Sequence, residues 1–215
     1  MKIVFVGAPG SGKTTITAAV FAALKESGRR TELVSEWIRT DIALSGPMTS
    51  IWEQYRTRRH QEELEAAVPK EIDYVIIDGG VLLQYFYAVL YCDPTDARQR
   101  IVLQDMYKYF LDDIYLNRYD LIFYLPTLVP TDLNDGTRYQ TENEVKTLNQ
   151  HMDLLFTKIH RFPRVHEVIS GMDQRLEEVM WKILGNDCSS YPPVVINERK
   201  IPAAKIQIRH APTKI

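Results

Sequence analysis

The 215-residue sequence predicts an α/β fold, a parallel sheet covered by helices on both faces, and three observations carry that expectation. Short runs of apolar and β-branched residues alternate along the chain with segments of helical period, the order that leaves parallel strands joined by helices. The runs KIVFV (2–6), YVIID (74–78) and DLIFYL (120–125) are apolar almost throughout, as strands buried on both faces are. Between the first run and the next helical segment stands GAPGSGKTT, Gly7 to Thr15.

The elements follow in order. Residues 2–6 read as a buried strand. Residues 13–27 read as a helix with Ile16, Ala19, Val20, Ala23 and Leu24 on its apolar face, closed by Gly28. A second strand is expected at 31–35, TELVS. A helical pattern from Thr49 to Val68 ends at Pro69. The third strand, 74–78, ends in the carboxylate of Asp78. Helices are expected at 81–91 and 95–117, parted by Cys92-Asp93-Pro94, and strand four at 120–125. Residues 127–140 form a long polar loop, a length that suggests function. A helix at 141–160 carries Val145, Leu148, Met152, Leu155 and Ile159 at spacings of three and four, a core-packing stripe. Strand five, 165–170, and a helix at 172–184 complete the pattern.

GAPGSGKTT fits GxxxxGK[ST] through Gly7, Gly12, Lys13 and Thr14, in the strand-to-helix setting the motif requires. Gly7, Gly10 and Gly12 can adopt backbone angles closed to other residues, so successive N–H groups can turn inward around an anion. The stretch Gly7, Ala8, Pro9, Gly10, Ser11, Gly12, Lys13, Thr14 and Thr15 is therefore expected to bind a nucleoside triphosphate. Lys13 would reach the β- and γ-phosphates and the Thr14 hydroxyl would ligate Mg²⁺. Asp78, at the end of a hydrophobic strand, is expected to hold the shell of the same ion.

Glu36 follows the second strand at the mouth of the same crevice. A carboxylate there can accept a proton from an attacking hydroxyl or bind a substrate hydroxyl, and Asp41 is a weaker rival. Arg39, one helical turn from Glu36, could meet a substrate phosphate. Arg56, Arg58 and Arg59 could as well, but an exposed helix face explains them equally. Arg138, in DGTR of the long loop, fits a mobile cation closing over the transferring phosphoryl group. Tyr85, Phe86, Tyr87 and Tyr91 suit either a base pocket or the core, and Tyr85 is the substrate-binding candidate among them. The five histidines show neither metal spacing nor a partnered nucleophile.

Bulk properties exclude other classes. Hydrophobic residues at 45% and charged ones at 25% suit a globular domain rather than a disordered chain. A net charge of −2 gives no global attraction to nucleic acid. Cys92 and Cys188 form no CxxC pair, no apolar run approaches a membrane span, and residues 1–6 do not read as a signal peptide. A cytoplasmic protein without membrane contact is expected.

Together these motifs resemble P-loop kinases of the ribosylnicotinamide-kinase-like branch and related bacteriophage nucleotide kinases. The resemblance rests on GAPGSGKTT, SEWIR (35–39), YVIIDGG (74–80) and NRYDLIFYL with DLNDGTRYQ (117–140), in that order, and covers about residues 1–185. It implies a three-layer P-loop NTPase sandwich with strand order 2-3-1-4-5 and transfer of the ATP γ-phosphate to a nucleoside or nucleotide. On that likeness Glu36 is the substrate-side base and Arg138 the arginine of a lid at about 126–140. Where relatives often have Asp-Ser or Asp-Thr after the third strand, this chain has Asp78-Gly79-Gly80, which removes a hydroxyl. The glycine pair is expected to open space beside the acceptor, which makes Gly79 a substrate-contact candidate. No second arginine accompanies Arg138, so either Arg118 or Arg98 contributes or the chemistry relies on fewer cations.

A kinase domain over 1–190 and a basic arm over 191–215 are expected. In the arm Arg199, Lys200, Lys205, Arg209 and Lys214 face only Glu198, a net +4. The arm could serve as a dimer contact or lie along DNA, and with Gly79-Gly80 it keeps open a hydroxymethylated base in phage DNA, such as 5-hydroxymethyluracil, as acceptor. Hydrolysis without an acceptor is the rival reading. Against it, a GTPase would carry an NKxD-type segment where YLPT stands, and motor ATPases tend to place a glutamate where Gly79 follows Asp78.

Overall fold

The structure, a computed structural model, describes residues 1–127 and 139–185. In chain order the elements are β1 (Lys2–Val6), α1 (Lys13–Glu26), β2 (Thr31–Val34), α2 (Ile38–Ser45), α3 (Ile51–Ala66) and β3 (Tyr74–Asp78). They continue with α4 (Gly80–Tyr91), α5 (Ala97–Tyr115), β4 (Leu121–Tyr124), α6 (Glu142–Ile159), β5 (Val165–Glu167) and α7 (Met172–Leu184). The strands form one parallel sheet in the order β2-β3-β1-β4-β5, as the resemblance implies.

The period of two along each strand divides the core into two layers. Val4, Val6, Val75, Ile77, Ile122 and Tyr124 face one side, against Leu83 and Phe86 of α4, Phe110 of α5 and Phe156 of α6. Ile3, Phe5, Ile76 and Phe123 face the other, against Ile16, Val20 and Leu24 of α1 and Val179 and Ile183 of α7. Phe5 stacks on Phe123 with ring centroids 5.2 Å apart, and removing either ring would cost about 3–5 kcal/mol.

Register brings the functional ends together. Phe5 lies beside Asp78, and Val6 beside Tyr124. The strand ends bearing the phosphate loop and the acidic residue are therefore adjacent.

Three expectations meet corrections. Helix α2 has no counterpart among the expected elements. Its signal is slight, with Ile38 and Ile42 one turn apart and a stop at Gly46, which has φ +83°. The arginines of α3 do not share an exposed face. Gln54, Thr57, Arg58, Gln61 and Glu65 of this polar helix are buried, and Arg58 Nη2 meets Asp113 at 2.8 Å and Glu62 at 2.9 Å. Nor do Gly79 and Gly80 open a space. A Cβ on Gly80 would fall 2.7 Å from Val4 Cγ2 and 2.9 Å from the Tyr119 hydroxyl. One on Gly79 would fall 3.2 Å from both Glu36 Cδ and Leu83 Cδ2. Both residues also have positive φ, so the pair serves a tight turn and close packing.

Candidate active site

The phosphate loop begins where β1 ends. Gly10 and Gly12 have φ of +85° and +86°, angles that side chains disfavour. At Gly7 a Cβ would lie 2.5 Å from the Leu125 carbonyl and 2.6 Å from Ser11 Oγ, so only glycine lets the loop fold this tightly. Gly12 caps α1 without any side-chain hydrogen bond, which leaves the first amides of the helix free for an anion. Lys13 is buried, with Nζ 3.5 Å from the Ala8 carbonyl across the loop.

Beside the loop, Thr14 Oγ1 donates to Asp78 Oδ2 at 2.7 Å and accepts from Arg39 Nη2 at 3.0 Å. Asp78 is 5% exposed, and its Oδ1 is buried without a partner. A hydroxyl, a carboxylate and an orphaned oxygen in one place fit Mg²⁺, which takes few protein ligands and completes its shell with water and phosphate. Among the described residues no cluster of three or more His, Cys, Asp or Glu offers a metal cage.

Glu36 is 7% exposed and lies 3.8 Å from Arg39 Nε. Burial pushes its pKa up, opposed by Lys13 and Arg39 and reinforced by Asp78. Its carboxyl carbon lies against Gly79, 3.2 Å from where a Cβ on that glycine would fall.

One cavity of about 300 Å³ joins these groups. Pro9, Gly10, Gly12, Lys13, Thr14 and Thr15 line it on the phosphate side, and Glu36, Ile38, Arg39, Ile42, Tyr87, Tyr139 and Gln140 on the other. A larger groove of about 470 Å³ along the edge strand β2 shares only Glu36 with it and contains none of the phosphate loop. The smaller cavity is the one with the means to hold a triphosphate.

Other candidates fall elsewhere. Tyr85 packs among Phe86, Tyr107 and Phe110 with centroids 5.3–5.4 Å away, and Tyr87, two residues on, faces the cavity instead. Asp41 is bound to α3 through Thr57 and Arg56. Arg118 pairs with Glu65 and Asp113 under α4, which removes it as a second lid cation. Arg98 is exposed at the start of α5. Arg138 and the arm at 191–215 lie outside the described residues.

Sequence reasoning missed Ile38, Ile42, Tyr139, Gln140 and, behind the loop, Arg175, and it chose Tyr85 over Tyr87 within the aromatic group. For Tyr139 the signal was its place directly after Arg138. Its hydroxyl accepts from Met48 N at 3.1 Å and donates to Met48 O at 3.0 Å, which fixes the chain at the cavity rim.

A family model described as an AAA domain, AAA_28, matches residues 2–188. The chain belongs to this AAA domain family. No curated protein matches the sequence. Among solved structures, this AAA domain resembles a NadR protein in complex with NR, with a TM-score of 0.66 and 16% identity over 85% of this chain and 50% of NadR. It spans about half the length of that protein. It also resembles deoxyadenosine kinase from M. mycoides with bound dATP, with a TM-score of 0.56 and 20% identity over 85% of this chain and 99% of the kinase. Thymidylate kinase from Candida albicans is similar at 0.56 and 16%, over 85% and 90%. The fold is thus that of P-loop kinases. No described helix is long and apolar enough to cross a membrane.

Proposed function

We propose that the protein is an ATP- and Mg²⁺-dependent kinase that transfers the γ-phosphoryl group to a nucleoside- or nucleotide-type acceptor. The observation that carries this reading is the single cavity in which a phosphate loop faces a buried carboxylate, Glu36, and an apolar and aromatic wall. A site for hydrolysis alone needs a bound triphosphate and a positioned water. It has no use for Ile38, Ile42, Tyr87 and Tyr139 across from the loop, which suit a ring-bearing acceptor.

Loop amides and Lys13 hold the donor phosphates, and Thr14 and Asp78 hold the metal. A Mg²⁺ ion held there would supply positive charge against the charge developing on the phosphates. Glu36 accepts the proton of an acceptor hydroxyl as the new O–P bond forms and the bond to the β-phosphate oxygen breaks, with ADP leaving. Arg39, already at Thr14, binds equatorial oxygens of the transferring group or a phosphate on the acceptor. Arg138, in DGTR, keeps the lid-cation role that its place in the sequence suggests. Positioning and electrostatics supply most of the rate.

Acceptance of a hydroxymethylated base in DNA drew on space at Gly79-Gly80, which packing fills, and on the arm outside the described residues. A free nucleoside or nucleotide is the preferred acceptor. The test is γ-labelled ATP with Mg²⁺ and a panel of nucleosides, nucleoside monophosphates, and normal or hydroxymethylated DNA. Label in a nucleoside or nucleotide product supports the reading. Label found only as free phosphate across the panel rejects it in favour of hydrolysis.

A further inference from the structure

Arg175, in the first turns of α7, is 5% exposed and spans two backbone carbonyls. Nη1 donates to Ser11 O at 2.6 Å, and Nε donates to Ser170 O at 2.9 Å. Ser11 belongs to the phosphate loop, Ser170 to the turn between β5 and α7. Arg175 does not line the cavity.

Within a trans peptide the carbonyl of one residue and the N–H of the next point opposite ways. Among the described residues no peptide is cis. With the Ser11 carbonyl drawn toward α7, the Gly12 N–H turns away from α7. Gly12 lines the cavity and Ser11 does not, so that direction is toward the phosphates. Glycine adopts either hand of backbone angle at little cost, so the Ser11-Gly12 peptide has no strong preference of its own for this orientation. A hold from outside the loop is needed.

We propose that Arg175 is a positioning residue for phosphate binding: its guanidinium fixes the Ser11-Gly12 peptide with its N–H facing the cavity, so that the loop is set for an anion before one arrives. The second bond, to Ser170, stops the guanidinium rotating away. Burial makes the charge-assisted bond to Ser11 stronger than it would be in water. The inference rests on the nucleotide-site reading of the loop.

The test is calorimetric titration of wild type, Arg175→Ala and Arg175→Lys with ADP, each first checked for folding by circular dichroism and thermal melting. Folded Arg175→Ala is expected to lose about 10- to 100-fold in ADP affinity. Its KM for ATP should rise in parallel while kcat at saturation holds, a split that general loosening of the fold would not give. Arg175→Lys, with its charge but one point of attachment, should fall between the two. Wild-type ADP affinity in folded Arg175→Ala, or a lower kcat at unchanged KM, would overturn the proposal. Should the alanine variant not fold, the lysine variant decides, and wild-type affinity there would equally overturn it. A wild-type protein that fails to bind ADP would defeat the nucleotide-site reading itself, a result distinct from any difference among the variants.

Discussion

Two buried glutamates mark two regions of the molecule that look alike by burial and differ in everything else. Glu65, beneath the start of α4, lies in a completed network. Val81 N donates to Oε1 at 3.2 Å, the Tyr119 hydroxyl lies 2.9 Å from the same oxygen, and Arg118 Nε donates to Oε2 at 3.3 Å. The carboxylate of Glu36, at the strand ends, makes no hydrogen bond among the described residues, and its ion-pair contact with Arg39 spans 3.8 Å. Burial pushes the pKa of both upward. A satisfied buried carboxylate belongs to the fold. One that lines a cavity together with Lys13 and has no side-chain hydrogen bond is a candidate for chemistry.

The variants that sharpen this contrast differ in scale. The largest effect is expected from Asp78→Asn, which weakens the metal site and should lower turnover by about 10³-fold or more without loss of fold, measured by steady-state phosphate transfer. Glu65→Ala should act on stability instead. It removes the buried acceptor shared by Arg118, the Tyr119 hydroxyl and the Val81 N–H, at a cost of about 3–5 kcal/mol in urea unfolding.

A third effect lies in pH. Because Glu36 must be unprotonated to accept a proton and its pKa is raised, turnover should fall on acidification at a pH above the ordinary carboxylate range. Glu36→Gln should abolish that limb. The same shift has a stability consequence of opposite sign. A carboxyl with a raised pKa in the folded state favours folding below its unfolded pKa and loses that contribution as pH rises through the folded value. Glu36→Gln should therefore raise the melting temperature at pH 7, and the gain should vanish in acid. The smallest effect is expected from Tyr139→Phe. Loss of its two bonds to Met48 should cost about 0.5–1.5 kcal/mol and raise KM for the acceptor.

What the sequence disclosed follows the reach of each interaction. The phosphate loop was legible because its chemistry is local: three glycines, a lysine and a threonine within eight residues, between a strand and a helix. The inner strands were legible because burial on both faces leaves nearly every position apolar, and β3 announced Asp78 by ending in it. The inward side of α3 was not, since Arg58 is explained by Asp113, 55 residues away. Arg175 was invisible for the same reason, its partner Ser11 lying 164 residues distant. A run of aromatics cannot say which of Tyr85 and Tyr87 points to the cavity, because helix rotation decides it. Gly79-Gly80 looked like vacant space, although the missing side chains are replaced by Glu36, Val4 and Tyr119.

The most direct measurement is the paired effect of Glu36→Gln and Glu65→Gln on melting temperature and on turnover per folded molecule, with γ-labelled ATP and an accepted nucleoside or nucleotide. Glu36→Gln should melt higher at pH 7 and lose about 10²- to 10⁴-fold in turnover, whereas Glu65→Gln, whose amide N–H must face a donor on Val81, Tyr119 or Arg118, should melt lower and keep its turnover. Full turnover in Glu36→Gln, or proportionate loss of melting temperature and turnover in both variants, would contradict the assignment of Glu36 to chemistry and Glu65 to the fold.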